Sequence, residues 1–146
     1  MSAYAISVSS AIIGAAVAII TNYWRTRYTV RSQDFSKRIE ELCKLIGELE
    51  VVACDHWSDK ENSKPNTSQY ILGFQEKISL LINYLDVQYD NFNTEIISEP
   101  ISLFFDSCSG GEFDDSSISD PGRIRQIMVE GEKLKIQLME TRGGLY

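Results

Sequence analysis

The chain has 146 residues, 21 acidic and 14 basic, for a net charge of −7. Every acidic residue lies at or beyond Asp34 and only Arg25, Arg27 and Arg31 precede it, so the part after Ser32 holds 11 basic against 21 acidic residues, a net of −10. That balance argues against a nucleic-acid partner. Cys43, Cys54 and Cys108 with the single His56 make neither a disulfide framework nor a zinc spacing, and no metal or cofactor is expected.

The first 24 residues carry no charged side chain, and the run YAISVSSAIIGAAVAII is followed by Tyr23, Trp24 and the three arginines. About 20 residues of helix cross a hydrocarbon core of roughly 30 Å, so this pattern predicts a single transmembrane helix over 1–24 and a basic juxtamembrane segment over 25–32. Tyr4 at one end and Tyr23, Trp24, Arg25, Arg27 and Arg31 at the other would mark the boundaries. The positive charge behind the run places the N-terminus outside and the remainder in the cytoplasm, with membrane lipid as a partner. A cleaved signal peptide, suggested by Ala16-Val17-Ala18, is disfavoured because no basic n-region precedes the run. Ser7, Ala11 and Ala15 share one face and Ser10, Gly14 and Ala18 another, a small-residue spacing that favours pairing with a second copy.

From Phe35 the pattern narrows to a stripe, with Ile39, Leu42, Ile46, Leu49, Ala53 and His56 at alternating intervals of four and three. It predicts a helix from Gln33 to Trp57, either continuous with the preceding one or kinked near Thr29 to Asp34. A bundle core face is preferred to an intermolecular coiled coil, because only three heptads are present. Ser58 to Ser68 reads as a loop. A second amphipathic helix follows from Asn66 or Thr67 to Val87, with Ile71, Phe74, Ile78, Leu81 and Leu85 inward.

Tyr89 to Asn93 reads as a turn, and Thr94 to Cys108 as a shorter segment that Pro100 kinks or begins. Ser107 to Ser119 is an acidic glycine-containing loop. Asp120 and Pro121 open the last helix, whose apolar positions are Ile124, Ile127, Met128, Gly131, Leu134 and Leu138, and Gly143-Gly144 ends it. The expected fold class is therefore all-α, an N-terminal transmembrane helix followed by an acidic cytoplasmic antiparallel helical bundle over 33–146.

No GxSxG or HExxH motif is present, and no catalytic residue is assigned. The one candidate pocket combines His56 and Trp57 with Glu112 and Asp114 of the acidic loop, against the simpler reading that His56 caps and packs. The GGEF run does not follow a calcium-loop or phosphate-loop spacing. The stretch SGGEFDDSSISDPGRIRQI, with a helix ending ACDHWS, resembles uncharacterised bacterial single-pass inner-membrane proteins with a GG[DE]F...DP.R..I ending. That resemblance implies a bacterial inner-membrane setting and a helical body, with no activity attached to particular residues. The expected function is a non-enzymatic, membrane-anchored interaction module or accessory subunit that binds another protein or itself as a homo-oligomer. The alternatives are a membrane-perturbing stress or antiphage effector, and an enzyme or ligand sensor built on His56.

Overall fold

A computed structural model of the chain describes residues 3–58, 66–111, 113 and 119–143, with side chains from Ile12 onward. Among the described residues there are four helices: α1 Ala3–Ser58, α2 Thr67–Gln88, α3 Thr94–Ser109 and α4 Pro121–Gly143. No strand occurs among the described residues. The chain divides into two compact units, Met1–Asp34 and Phe35–Tyr146, and α1 runs through the division without a break.

Among the described residues no helix is long and apolar enough to cross a membrane. This overturns the expected transmembrane helix over 1–24, and with it the single-pass inner-membrane placement and the sides assigned to the two ends. In the described part of α1 the apolar residues from Ile12 give way to Thr21 and Asn22 and then to Arg25, Arg27 and Arg31, cations that are costly in a hydrocarbon core. Tyr4, Ser7, Ser10 and Ala11 lie outside the residues whose side chains are described.

The second unit is an antiparallel four-helix bundle. Arg38 lies over the Tyr84 ring and Phe35 meets Tyr89, which sets α1 against α2. The Gln75 amide donates to Phe105 O and Ser109 Oγ while Thr94 donates to the Asp86 carboxylate, which sets α2 against α3. Arg123 reaches Asp106 O, joining the start of α4 to the end of α3. Glu40 pairs with Arg142 and Glu50 with Lys135, closing α4 onto α1. Each neighbour runs opposite to the last, the arrangement that short connections favour.

Phe35, Ile39, Leu42, Ile46, Leu49 and Ala53 are all buried, so the predicted seam of α1 is the core face. Its last member is Trp57 rather than His56, which is only half-buried. After Ala53 either position continues the stripe, and the indole wins because it fills more volume and its Nε1–H finds the Cys108 carbonyl at 2.9 Å. Ile71, Ile78, Ile82 and Leu85 of α2, Ile97, Phe104 and Cys108 of α3, and Ile127, Leu134 and Leu138 of α4 complete the core. Met128, placed inward by the pattern, is exposed. The Tyr89 to Asn93 turn is not merely polar: Tyr89 and Phe92 are buried against the Phe35 ring at 4.9 and 6.2 Å.

Pro100 neither begins nor ends α3, which continues through it. The missing N–H leaves the Ile96 carbonyl without its helical donor, a loss that water can make good because Ile96 is exposed. The helix starts nearly two turns before Pro100, at Thr94, where the Asn93 side chain accepts from Glu95 N at 2.9 Å. Asp120 does the same for α4, its Oδ1 accepting from Arg123 N at 3.1 Å.

Gly131 lets α4 approach α1. A Cβ there would overlap the Glu50 carboxylate, which lies against the bare backbone and pairs with Lys135 at 3.1 Å. Burial pushes the Glu50 carboxyl above its ordinary range despite the Lys135 ammonium, while Glu132 adds repulsion. Burial also works to lower Lys135, yet hydrogen bonds from Glu132 and Glu50 hold it above its ordinary value. The two partners differ because Lys135 faces two carboxylates whereas Glu50 has one ammonium to offset its desolvation. Because folding raises the Glu50 carboxyl, its contribution to stability is greatest below the unfolded carboxylate range and is lost as pH rises through the raised folded value. Glu50→Gln is expected to melt no lower than the parent at neutral pH, with the two converging below about pH 4. Thermal unfolding followed by circular dichroism across pH 3 to 8, as an approximate range around the carboxylate values, checks this.

Candidate functional site

The ends of α1 and α3 meet the start of α4 in an aromatic cluster around Trp57. The helical stripe of α1 turns Trp57 inward, where its Nε1–H donates to Cys108 O. Phe113 is buried, its ring 6.5 Å from the indole and 5.0 Å from the His56 imidazole. His56 stands edge-on to Trp57 at 5.2 Å. Its Nε2 lies 3.3 Å from the Phe113 carbonyl. A carbonyl only accepts, so in this bond Nε2 carries the proton.

Arg123 covers the other side. Its guanidinium carbon sits 4.6 Å from the centroid of the Trp57 ring, Nη1 donates to Asp106 O at 3.1 Å, and Nε lies 3.8 Å from Asp120 Oδ2. The last carbonyls of α3 are thereby capped by a cation, and the cation is stacked on an indole. Gly111 has φ +68°, and a side chain there would strike Arg123 Nη2 as well as strain the backbone. The Trp57 carbonyl accepts from Asp120 N at 3.3 Å and Ser119 Oγ at 3.2 Å, tying the loop's far end to the end of α1. Every polar group named here is spent on closing the bundle.

Of the four candidate pocket residues, His56 and Trp57 are together, while Glu112 and Asp114 lie outside the described residues. Sequence reasoning missed Arg123, whose signal was its place one turn after Asp120-Pro121 at the start of a helix. Among the described residues no group of His, Cys, Asp and Glu is arranged to hold a metal ion. Burial raises the thiols of Cys43 and Cys54, and that of Cys108 to about 12, so all three remain protonated and unreactive at neutral pH.

The residues assigned to a membrane boundary and a pairing face have a different setting. Gly14, Ala15, Ala18, Tyr23, Trp24, Arg25, Arg27 and Arg31 all lie on the exposed surface of α1, and nothing stands within 4 Å of a Cβ placed on Gly14. Ile12, Ile13, Val17, Ile19, Ile20, Tyr23, Trp24, Tyr28 and Val30 are exposed as well, Ile13 at 64% and Trp24 at 69%.

No protein-family model, no curated protein and no solved structure matches the chain. Its function has to be argued from its own surfaces.

Arg123→Ala is expected to lower unfolding stability by about 1–3 kcal/mol, through the uncapped Asp106 carbonyl and the lost stacking. His56→Gln, whose amide can still donate to Phe113 O, should cost under about 1 kcal/mol. Urea unfolding of the two variants measures both. The reverse order would show His56, not Arg123, to be the residue holding this end together.

Proposed function

We propose that the chain is a non-catalytic protein-interaction module: the bundle over 35–146 is its folded body, and the segment of α1 over 12–34 is the helix through which it binds itself. The carrying observation is that the large apolar side chains of this segment share one broad face and stay exposed. A surface helix turns such a face toward a core. Helical periodicity puts Ile12, Ile13, Val17, Ile19, Ile20 and Trp24 on about one half of the circumference, since successive residues turn by about 100°, and all of them are exposed. An apolar surface this continuous marks an association site.

The aromatic cluster at the opposite end of α1 does not compete with this reading. His56, Trp57 and Arg123 are engaged in ring contacts and hydrogen bonds inside the bundle. A self-associating subunit needs no reactive group, and the acidic body keeps the assembled copies apart except where a specific contact offsets the repulsion.

The expected result in detergent-free buffer is a mass above the 16.5 kDa of one chain. Ile13→Asn with Ile20→Asn should shift the chain to that single-chain mass, with helicity of the 35–146 body and its melting midpoint unchanged. Sedimentation equilibrium and circular dichroism read the two outcomes. A parent chain that stays monomeric at all accessible concentrations, or is held in solution only by detergent or lipid, overturns the proposal.

A further inference from the structure

The surface of the bundle that receives the helix is identifiable. Between α3 and α4 runs an open cleft of about 350 Å³, lined by Glu99, Pro100, Leu103, Ile136, Gln137 and Glu140 among others. Its floor is apolar, with Leu103 and Ile136 each 46% exposed. Its walls carry three carboxylates and one ammonium: Glu130 and Lys133 pair with each other at 2.9 Å, while Glu99 on α3 and Glu140 on α4, both exposed, form no ion pair among the described residues. Gln137 adds an amide oxygen that is shut off from solvent with no donor in hydrogen-bond reach.

The segment of α1 before Asp34 has the complementary chemistry. Its only charged side chains are the three arginines. Ile20, Trp24 and Tyr28 recur every fourth residue and form one apolar stripe. At about 100° per residue, Arg27 falls on one side of that stripe and Arg25 on the other. Neither has a carboxylate within ion-pair distance among the described residues, and Arg27 meets only the Tyr23 hydroxyl at 3.5 Å. An apolar ridge flanked by two cations matches an apolar floor flanked by two carboxylates.

Resting on the reading of 12–34 as a self-association helix, we infer that its occupied partner surface is the α3/α4 cleft of a second copy: Ile20, Trp24 and Tyr28 cover Leu103 and Ile136, and Arg25 and Arg27 pair with Glu99 and Glu140. A second copy is favoured over an unrelated protein because this one chain supplies both halves, a segment before Asp34 whose charged side chains are all cationic and a body over 35–146 with 11 basic against 20 acidic residues, net −9. Such a contact joins two different surfaces, so each copy offers a free helix and a free cleft. Two copies that exchange helices reciprocally close as a dimer, and one-way docking extends the assembly as a ring or an open chain.

Charge exchange tests it. Glu99→Arg with Glu140→Arg keeps the parental helix but reverses the cleft, and Arg25→Glu with Arg27→Glu does the opposite. Each variant alone is expected to self-associate at least about tenfold more weakly than the parent by sedimentation, and the parent's association to weaken as salt rises. Mixed in equal amounts, the two should recover association, since the helix of either fits the cleft of the other. Recovery also shows that both variants are folded. If the cleft variant associates like the parent while Ile13→Asn with Ile20→Asn still yields monomers, the helix pairs with another helix: the cleft assignment is overturned and the interaction-module reading stands. If the isoleucine variant associates like the parent, that reading itself falls. Failure of the mixture to recover overturns the cleft assignment as well.

Discussion

One stripe of α1 organises the body of this protein. Phe35, Ile39, Leu42, Ile46, Leu49, Ala53 and Trp57 are spaced so that a single helical face is buried over six turns, and the other three helices are arranged around it. Full burial of each large aliphatic or aromatic side chain contributes about 1.5–3 kcal/mol, so this seam outweighs the surface ion pairs, which contribute about 0–1 kcal/mol each. Arg38–Glu41 and Lys44–Glu48 are of that surface kind. The two ends of the seam are finished by aromatics: Phe35 against Tyr89 and Phe92, Trp57 against Phe113 and the Arg123 guanidinium. The same helix, before Asp34, also carries its large apolar residues on one face, but there they are exposed.

That contrast within one helix is the basis of the functional reading. A helix that buries its apolar residues on one side has found its partners inside its own chain. A helix that leaves such a face exposed has its stabilising contacts elsewhere, because isolated helices gain little from propensity alone and depend on packing. The acidic body limits what those contacts can be. A cationic, apolar segment is attracted to the carboxylates of another copy, whereas two bodies of net −9 repel each other over roughly a Debye length, about 8 Å at physiological salt.

Much of the body was legible in the pattern of residues. The interval of four and three picked out six of the seven seam positions of α1, and the Asp120-Pro121 start and the Asn66 to Thr67 start fell where helices begin. Trp57 was misjudged because two adjacent positions continue a stripe equally well, and only the neighbouring Cys108 carbonyl decides between them. Pro100 hid the continuity of α3, since the cost of a missing donor depends on whether the orphaned carbonyl reaches water. Arg123 and the Glu50–Gly131–Lys135 contact are pairings between helices far apart in sequence, to which periodicity is blind. Hydropathy registered that the first segment is apolar, but composition carries no label for what covers it.

The two tryptophans report separately on the two halves of α1, Trp57 buried at 2% and Trp24 exposed at 69%. Acrylamide quenching of tryptophan fluorescence over a dilution series is therefore the most direct measurement. The account requires Trp24 to be shielded in concentrated samples and to become accessible on dilution, while Trp57 stays shielded throughout. Trp24 quenched to the same extent at every concentration would mean that nothing covers the segment, and would contradict the account.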